Sequence, residues 1–143
     1  MAIATAFIDA NVFVFAFLKP KRKLQPHETA IKEAAKKIVS KISAGEKVAC
    51  SVVHFSEICN ILEDQMSLEQ AYLIEKSLLF RENIQFIEVC KYDYLSALSV
   101  AGQYQLGVND ALAYVLMKRL GTSKIYSFDK HFDCFHDISR MTE

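Results

Sequence analysis

The feature that most constrains this chain is the alternation of short apolar runs with segments of helical periodicity. Ala2 to Ile8, Val48 to Cys50, Ile84 to Val89 and Ile125 to Phe128 have strand length. The first two are continuous apolar runs, as in strands covered on both faces of a parallel sheet, and the third alternates less cleanly. After the first run, Val12, Phe13, Phe15, Ala16 and Phe17 form a short apolar helix or turn that Lys19-Pro20 breaks. From His27 to Ala44, Ile31, Ala34, Ala35, Ile38 and Ile42 recur at helical spacing, with Lys32, Lys36, Lys37 and Lys41 outside that stripe and Gly45 as a C′ residue.

The later segments repeat the pattern. Ser51 caps a helix carrying Phe55, Ile58, Ile61 and Leu62, and Ser67-Leu68-Glu69-Gln70 fits a capping box ahead of Ala71, Ile74, Leu78 and Leu79. Tyr92 to Gln105 reads as a helix that Leu106-Gly107 stops in a left-handed cap. Asn109 then caps a helix running to Leu120, and Gly121 ends it. Strands separated in this way by helices imply an α/β fold, a three-layer sandwich around a central, mainly parallel sheet. Ligands of such folds sit beyond the carboxyl ends of the strands.

With 143 residues, 52% of them hydrophobic, and no Gly/Ser tract among only four Gly and two Pro, residues 1–143 are expected to form one domain. The apolar N-terminus lacks a basic region and meets Asp9 too early for a secretory signal. No apolar stretch approaches the ~20 residues of a membrane span. Cys50, Cys59, Cys90 and Cys134 form no C-x-x-C pair and read as reduced structural thiols. These features place the chain in the cytoplasm.

The net charge of zero conceals a division. Residues 1–47 carry nine Lys/Arg against four acids, and the rest eight against thirteen. Lys19, Lys21, Arg22 and Lys23 open a basic segment that either lines a groove for a phosphate backbone or is simply a solvated loop. Phe13, Phe15 and Phe17 read as core, and the breadth of apolar residues around Tyr72, Leu79 and Phe80 points to a partner surface or to core.

Placed on this fold, Asp9 ends the first strand, Glu57 lies in the first two turns of the helix after the second, Asp110 opens a helix, and Asp129 ends the fourth strand. Carboxylates that converge repel unless protons or cations neutralise them. All-oxygen donors favour Mg²⁺ or Mn²⁺. Such an ion activates water, polarises a phosphoryl oxygen and stabilises a leaving 3′ oxygen, which is nuclease chemistry needing no Ser, His or Cys nucleophile. His54 and Glu57 share a helix face, but the partner pair that a carboxylate–histidine site would need is missing. His27, His131 and His136 carry no stronger signal.

Over nearly its whole length the chain resembles the PIN domain family, close to the toxin ribonucleases of prokaryotic toxin–antitoxin pairs. The resemblance rests on Phe7-Ile8-Asp9-Ala10-Asn11-Val12, on Ser51 through Ser56-Glu57-Ile58, on Val108-Asn109-Asp110-Ala111-Leu112-Ala113, and on Ser127-Phe128-Asp129-Lys130-His131-Phe132. It implies that Asp9, Glu57, Asp110 and Asp129 are catalytic metal ligands, that Asn11 and Ser127 support them by hydrogen bonding, and that Asp133 is an outer acid. It further implies hydrolysis of RNA, a homodimer and a cognate antitoxin. Ala10 departs from the hydroxyl residue often found between the family's Asp and Asn. The same fold without catalysis, as an RNA-binding or assembly module, is the alternative, against which the four intact acids count. A receiver or phosphatase reading of Asp9 would want a second acid where Asn11 stands.

Overall fold

The computed structural model describes residues 4–143. Five strands, β1 (Ala6–Ile8), β2 (Val48–Ser51), β3 (Ile84–Ile87), β4 (Lys124–Tyr126) and β5 (Ser139–Met141), form one sheet in the order β3-β2-β1-β4-β5. All neighbours run parallel. β1 and β2 lie inside the sheet with every residue buried, which is why their sequences are continuously apolar.

The pleat sends alternate residues to opposite layers. Ala6, Ile8, Val48, Cys50, Ile84 and Tyr126 face one core with residues of α1 (Ala10–Phe17), α2 (Pro26–Ser43), α3 (Val52–Gln65) and α4 (Leu68–Leu79). Phe7, Ala49, Ile87 and Ile125 face a second core built with α5 (Lys91–Tyr104) and α6 (Val108–Leu120). The expected three-layer α/β sandwich is therefore the observed one. Strand order reverses at β1, whose neighbours are β2 and β4, so the crevice beyond the carboxyl ends of β1 and β4 is the switch point where such folds bind ligands.

The structure adjusts several boundaries. β1 begins at Ala6, and the expected start at Ala2 lies outside the described residues. β4 stops at Tyr126; the Ser127 N–H still bonds the Met141 carbonyl at 3.2 Å, while the Ser127 side chain and the Phe128 N–H bond across the site. Asp129 thus sits three residues past the strand, capping a 3-10 helix (Lys130–Cys134) through a 2.9 Å bond from the His131 N–H. α5 ends in a left-handed residue at Gln105 (φ 57°), and Gly107, at φ −63°, is the N-cap of α6. Asn109 is therefore inside the first turn, its side chain free for other work. β5 escaped sequence reading because it is an edge strand with one apolar residue, Met141, held by backbone bonds such as Ser139 N–H to Ser123 O at 2.7 Å.

Ser51 and Ser67 cap α3 and α4 as expected, each accepting from the backbone N–H three residues on. Phe13 is buried and stacks on Phe17, but Phe15 turns outward, edge-on to Phe128 at 5.9 Å. α4 buries only Ala71 and Leu78 fully, leaving Tyr72, Leu73, Leu79 and the following Phe80 exposed, the last at 82%. All four cysteines are free thiols. Among the described residues, no helix is long and apolar enough to cross a membrane.

Candidate functional site

Asp9 is the first residue after β1 and the N-cap of α1. The chain turns there from the buried strand into a buried helix, leaving the side chain 6% exposed. Its Oδ2 accepts a 2.7 Å hydrogen bond from the Ser127 hydroxyl. The same Ser127 Oγ accepts from the Asp129 N–H at 3.0 Å and from Asn11 Nδ2 at 3.5 Å, while Asn11 Oδ1 accepts from the Phe128 N–H at 3.4 Å. One fully buried hydroxyl therefore joins the ends of β1 and β4. Asn11 and Ser127, singled out from sequence, both belong to this network.

Glu57, in the second turn of α3, accepts a 2.8 Å bond from Asn109 Nδ2, and Asn109 Oδ1 in turn accepts from the Tyr94 hydroxyl at 3.1 Å. The Asn109 carbonyl is held by His54 Nε2 at 3.1 Å, while His54 Nδ1 meets the Ser51 hydroxyl. Burial pushes the His54 pKa down to about 4, so the ring is neutral at ordinary pH. A carbonyl only accepts, so Nε2 carries the proton and Ser51 donates to Nδ1. His54 is thus a buried structural residue, edge-on to Phe7, that fixes the first turn of α6. Tyr94, His54 and Asn109 escaped the sequence reading in these roles, since nothing in their local sequence announces contacts across three helices.

The four acids feel one another. The Asp9 carboxyl is pushed up to about 7, first by burial and then by the charges of Asp110 and Glu57, against the opposing Ser127 hydrogen bond. Glu57 is raised by burial and by Asp110, with the Asn109 bond pulling the other way. Asp110, in the first turn of α6, is raised by burial and by Asp129. The helix N-terminus, whose partial positive charge favours the ionised carboxylate, does not offset these effects. Among the described residues, no Lys or Arg pairs with any of the four; the one basic partner is His131, whose Nδ1 lies 3.0 Å from Asp129 Oδ1 and 4.0 Å from Asp110 Oδ2. Such a set of partly desolvated carboxylates has the donor chemistry of a hard divalent cation site.

Asp133 does not join the cluster. Arg140 takes both its oxygens, at 2.9 and 3.2 Å, and holds its pKa below the usual carboxylate range. It touches the site only indirectly, since Arg140 also donates to the Ser127 carbonyl at 3.2 Å.

Lys19, Lys21, Arg22 and Lys23 occupy the exposed α1–α2 loop. All but Lys23 line a cavity of about 590 Å³ with Phe15, Leu18 and Ile31. Arg22 is committed to Glu28 by bonds of 2.6 and 3.0 Å. Lys32 also turns inward, bonding the carbonyls of Phe15 and Leu18 at the end of α1. Lys19, Lys21 and Lys23 remain on the surface, and Phe15, shared by the cavity and by the Phe128 contact, links this loop to the acidic cluster.

The family model for the PIN domain matches residues 6–137, and the chain belongs to the PIN domain family. Its fold is similar to that of VapC20 of Mycobacterium tuberculosis, described as a sarcin–ricin loop cleaving toxin, with 16% identity, TM-score 0.70, and 90% of this chain and 93% of that one covered. A toxin–antitoxin complex from Klebsiella pneumoniae is similar at 11% identity and TM-score 0.64, covering 96% and 98% of the two chains. VapBC2 of Rickettsia felis, solved with a DNA fragment from its promoter, is similar at 14% identity and TM-score 0.63, covering 95% and 96%. Among curated proteins, none matches the sequence significantly.

Proposed function

We propose that this PIN domain is a divalent-metal-dependent endoribonuclease of the toxin–antitoxin type, acting through Asp9, Glu57, Asp110 and Asp129. The observation that supports the reading is the mutual repulsion that links Asp9 and Glu57 to Asp110 and Asp110 to Asp129, with Asp9 buried and no Lys or Arg ion pair to any of the four among the described residues; of the four, Asp110 and Asp129 come within 4.8 Å of one another together with His131. In this reading the four acids hold Mg²⁺ or Mn²⁺. Such an ion, when bound, supplies activated water, a polarised phosphoryl oxygen and charge stabilisation at the leaving 3′ oxygen.

The chain's own residues do the rest. Ser127 donates to one Asp9 oxygen and so limits the rotation of that carboxyl, while Asn11 donates to Ser127. Asn109, held by Tyr94 and His54, orients Glu57 so that it need not search rotamers when a ligand arrives. Lys19, Lys21 and Lys23 supply phosphate contacts for the RNA backbone. RNA as substrate is supported by the fold shared with a toxin that cleaves the sarcin–ricin loop, and a cognate antitoxin by the toxin–antitoxin complex of the same fold. The exposed apolar side of α4 with Phe80 supports a homodimer. Residues 1–143 act, on this proposal, as one nuclease domain in the cytoplasm.

The test compares binding and cleavage of labelled mixed-sequence RNA by the wild-type chain, Asp9→Asn and Asp110→Asn, with Mg²⁺, Mn²⁺ or chelator. Cleavage that needs metal and is lost in both variants is the expected result. RNA bound yet intact under every metal would move the assignment to a catalytically idle binding or assembly module.

A further inference from the structure

We propose that His131 supplies a nitrogen ligand, through Nδ1, to the divalent ion held by Asp110 and Asp129, and so biases this site toward Mn²⁺ over Mg²⁺. The inference rests on the metal reading of the site and deepens it by naming the ion.

His131 is the second residue of the 3-10 helix that Asp129 caps. That cap, in which Asp129 Oδ1 accepts the His131 N–H, brings the imidazole back over its own capping carboxylate. One ligand atom each from Asp110, Asp129 and His131 lie within 4.8 Å of one another. With bonds of roughly 2.0–2.2 Å around an ion, adjacent ligands of an octahedron stand about 3 Å apart and opposite ones a little over 4 Å. The observed 3.0 Å from Nδ1 to Asp129 and 4.0 Å to Asp110 fall within that range. The side chain is 71% exposed, so little burial opposes its use as a ligand.

An all-oxygen site suits Mg²⁺, Ca²⁺ and Mn²⁺ alike, whereas an imidazole nitrogen favours transition metals, in the order Mn²⁺ below Co²⁺ below Ni²⁺. An ion pair of Nδ1 with both carboxylates accounts for the two distances without a metal, but it predicts no preference among ions.

The experiment uses the full chain. Mn²⁺ is titrated into wild type, His131→Ala and His131→Asn, and the bound ion is examined by pulsed electron paramagnetic resonance for coupling to a nitrogen nucleus. Binding of Mn²⁺ and Mg²⁺ is followed in parallel by calorimetry. Nitrogen coupling in wild type and none in either variant is expected, with Mn²⁺ affinity falling by roughly tenfold or more and Mg²⁺ affinity changing far less. Mn²⁺ bound to wild type without nitrogen coupling, coupling that survives in His131→Ala, or equal losses for both ions would overturn the assignment of His131 while leaving the carboxylate site standing. Wild type that binds no Mn²⁺ would overturn both. Since His131 is exposed, the variants are expected to fold, and circular dichroism checks that.

Discussion

Asp9→Asn should stabilise the metal-free protein near neutral pH while abolishing metal binding. The Asp9 carboxyl stands at about 7 in the folded chain against its ordinary 3.8, because burial and the charges of Asp110 and Glu57 disfavour the anion. The folded state therefore holds this proton more tightly than the unfolded chain does, and stability falls as pH rises from near 4 toward 7. About three pH units at ~1.4 kcal/mol each set a ceiling of ~4 kcal/mol, of which roughly 2–3 kcal/mol is lost between about pH 5 and pH 8. Asn keeps the shape, accepts the Ser127 hydrogen bond equally well and does not titrate. Urea unfolding with chelator, followed by circular dichroism at several pH values, should show the wild-type midpoint falling relative to Asp9→Asn. At ~1–3 kcal/mol per molar urea, the relative shift is on the order of 1–2 M. Saturating Mn²⁺ at pH 8 should restore wild type, by ~2.7 kcal/mol at a hundredfold excess over Kd, and leave the variant nearly unchanged. A pH-independent difference between the two proteins, or a wild type that gains relative stability as pH rises, would refute the electrostatic account of the site.

Three further outcomes follow from the same contacts. Asn109→Ala removes the donor to Glu57 and leaves the Tyr94 hydroxyl without its acceptor; metal affinity, by calorimetry, should drop about 10- to 100-fold while the thermal midpoint moves little. Ser127→Ala deletes the buried hydroxyl shared by Asp9, Asp129 and Asn11, and should cost about 1–3 kcal/mol by denaturant unfolding, as well as weakening metal binding. Leu73→Ser with Phe80→Ser should convert a dimer to a monomer in sedimentation equilibrium without loss of helix content, since both side chains are exposed in the single chain; an unchanged mass would place the dimer contact elsewhere.

The architecture was legible in the sequence wherever burial is two-sided. β1 and β2 are apolar throughout because helices cover both faces, and the acids that follow them stand out against those runs. Where a strand lies at the edge the signal vanishes: Ser139–Met141 pairs through its backbone, which no side-chain pattern records. Asp9 stood out because it directly follows a buried apolar run, whereas Glu57 and Asp110 lie within helices and Asn11 and Ser127 were singled out only through the resemblance to the PIN domain family. What escaped depends on contacts between segments distant in the chain. Asn109 looked like a cap because it precedes an apolar helix, yet Gly107 takes that place and the Asn109 amide turns to Glu57, 52 residues away. Asp133 looked available beside Asp129, but Arg140 on the unforeseen β5 claims it. His131 gave no sign because its proximity to Asp110 joins the 3-10 helix to the first turn of α6, a contact that local sequence does not record.

The central claim, metal-dependent hydrolysis of RNA by the carboxylate cluster, is tested most directly by the chemistry of the new RNA ends after incubation with Mg²⁺ or Mn²⁺. Attack by water with departure of the 3′ oxygen leaves 3′-hydroxyl and 5′-phosphate ends, and the account predicts these, lost with chelator and in Asp9→Asn. Ends bearing 2′,3′-cyclic phosphate, or cleavage that survives both chelator and Asp9→Asn, would contradict it.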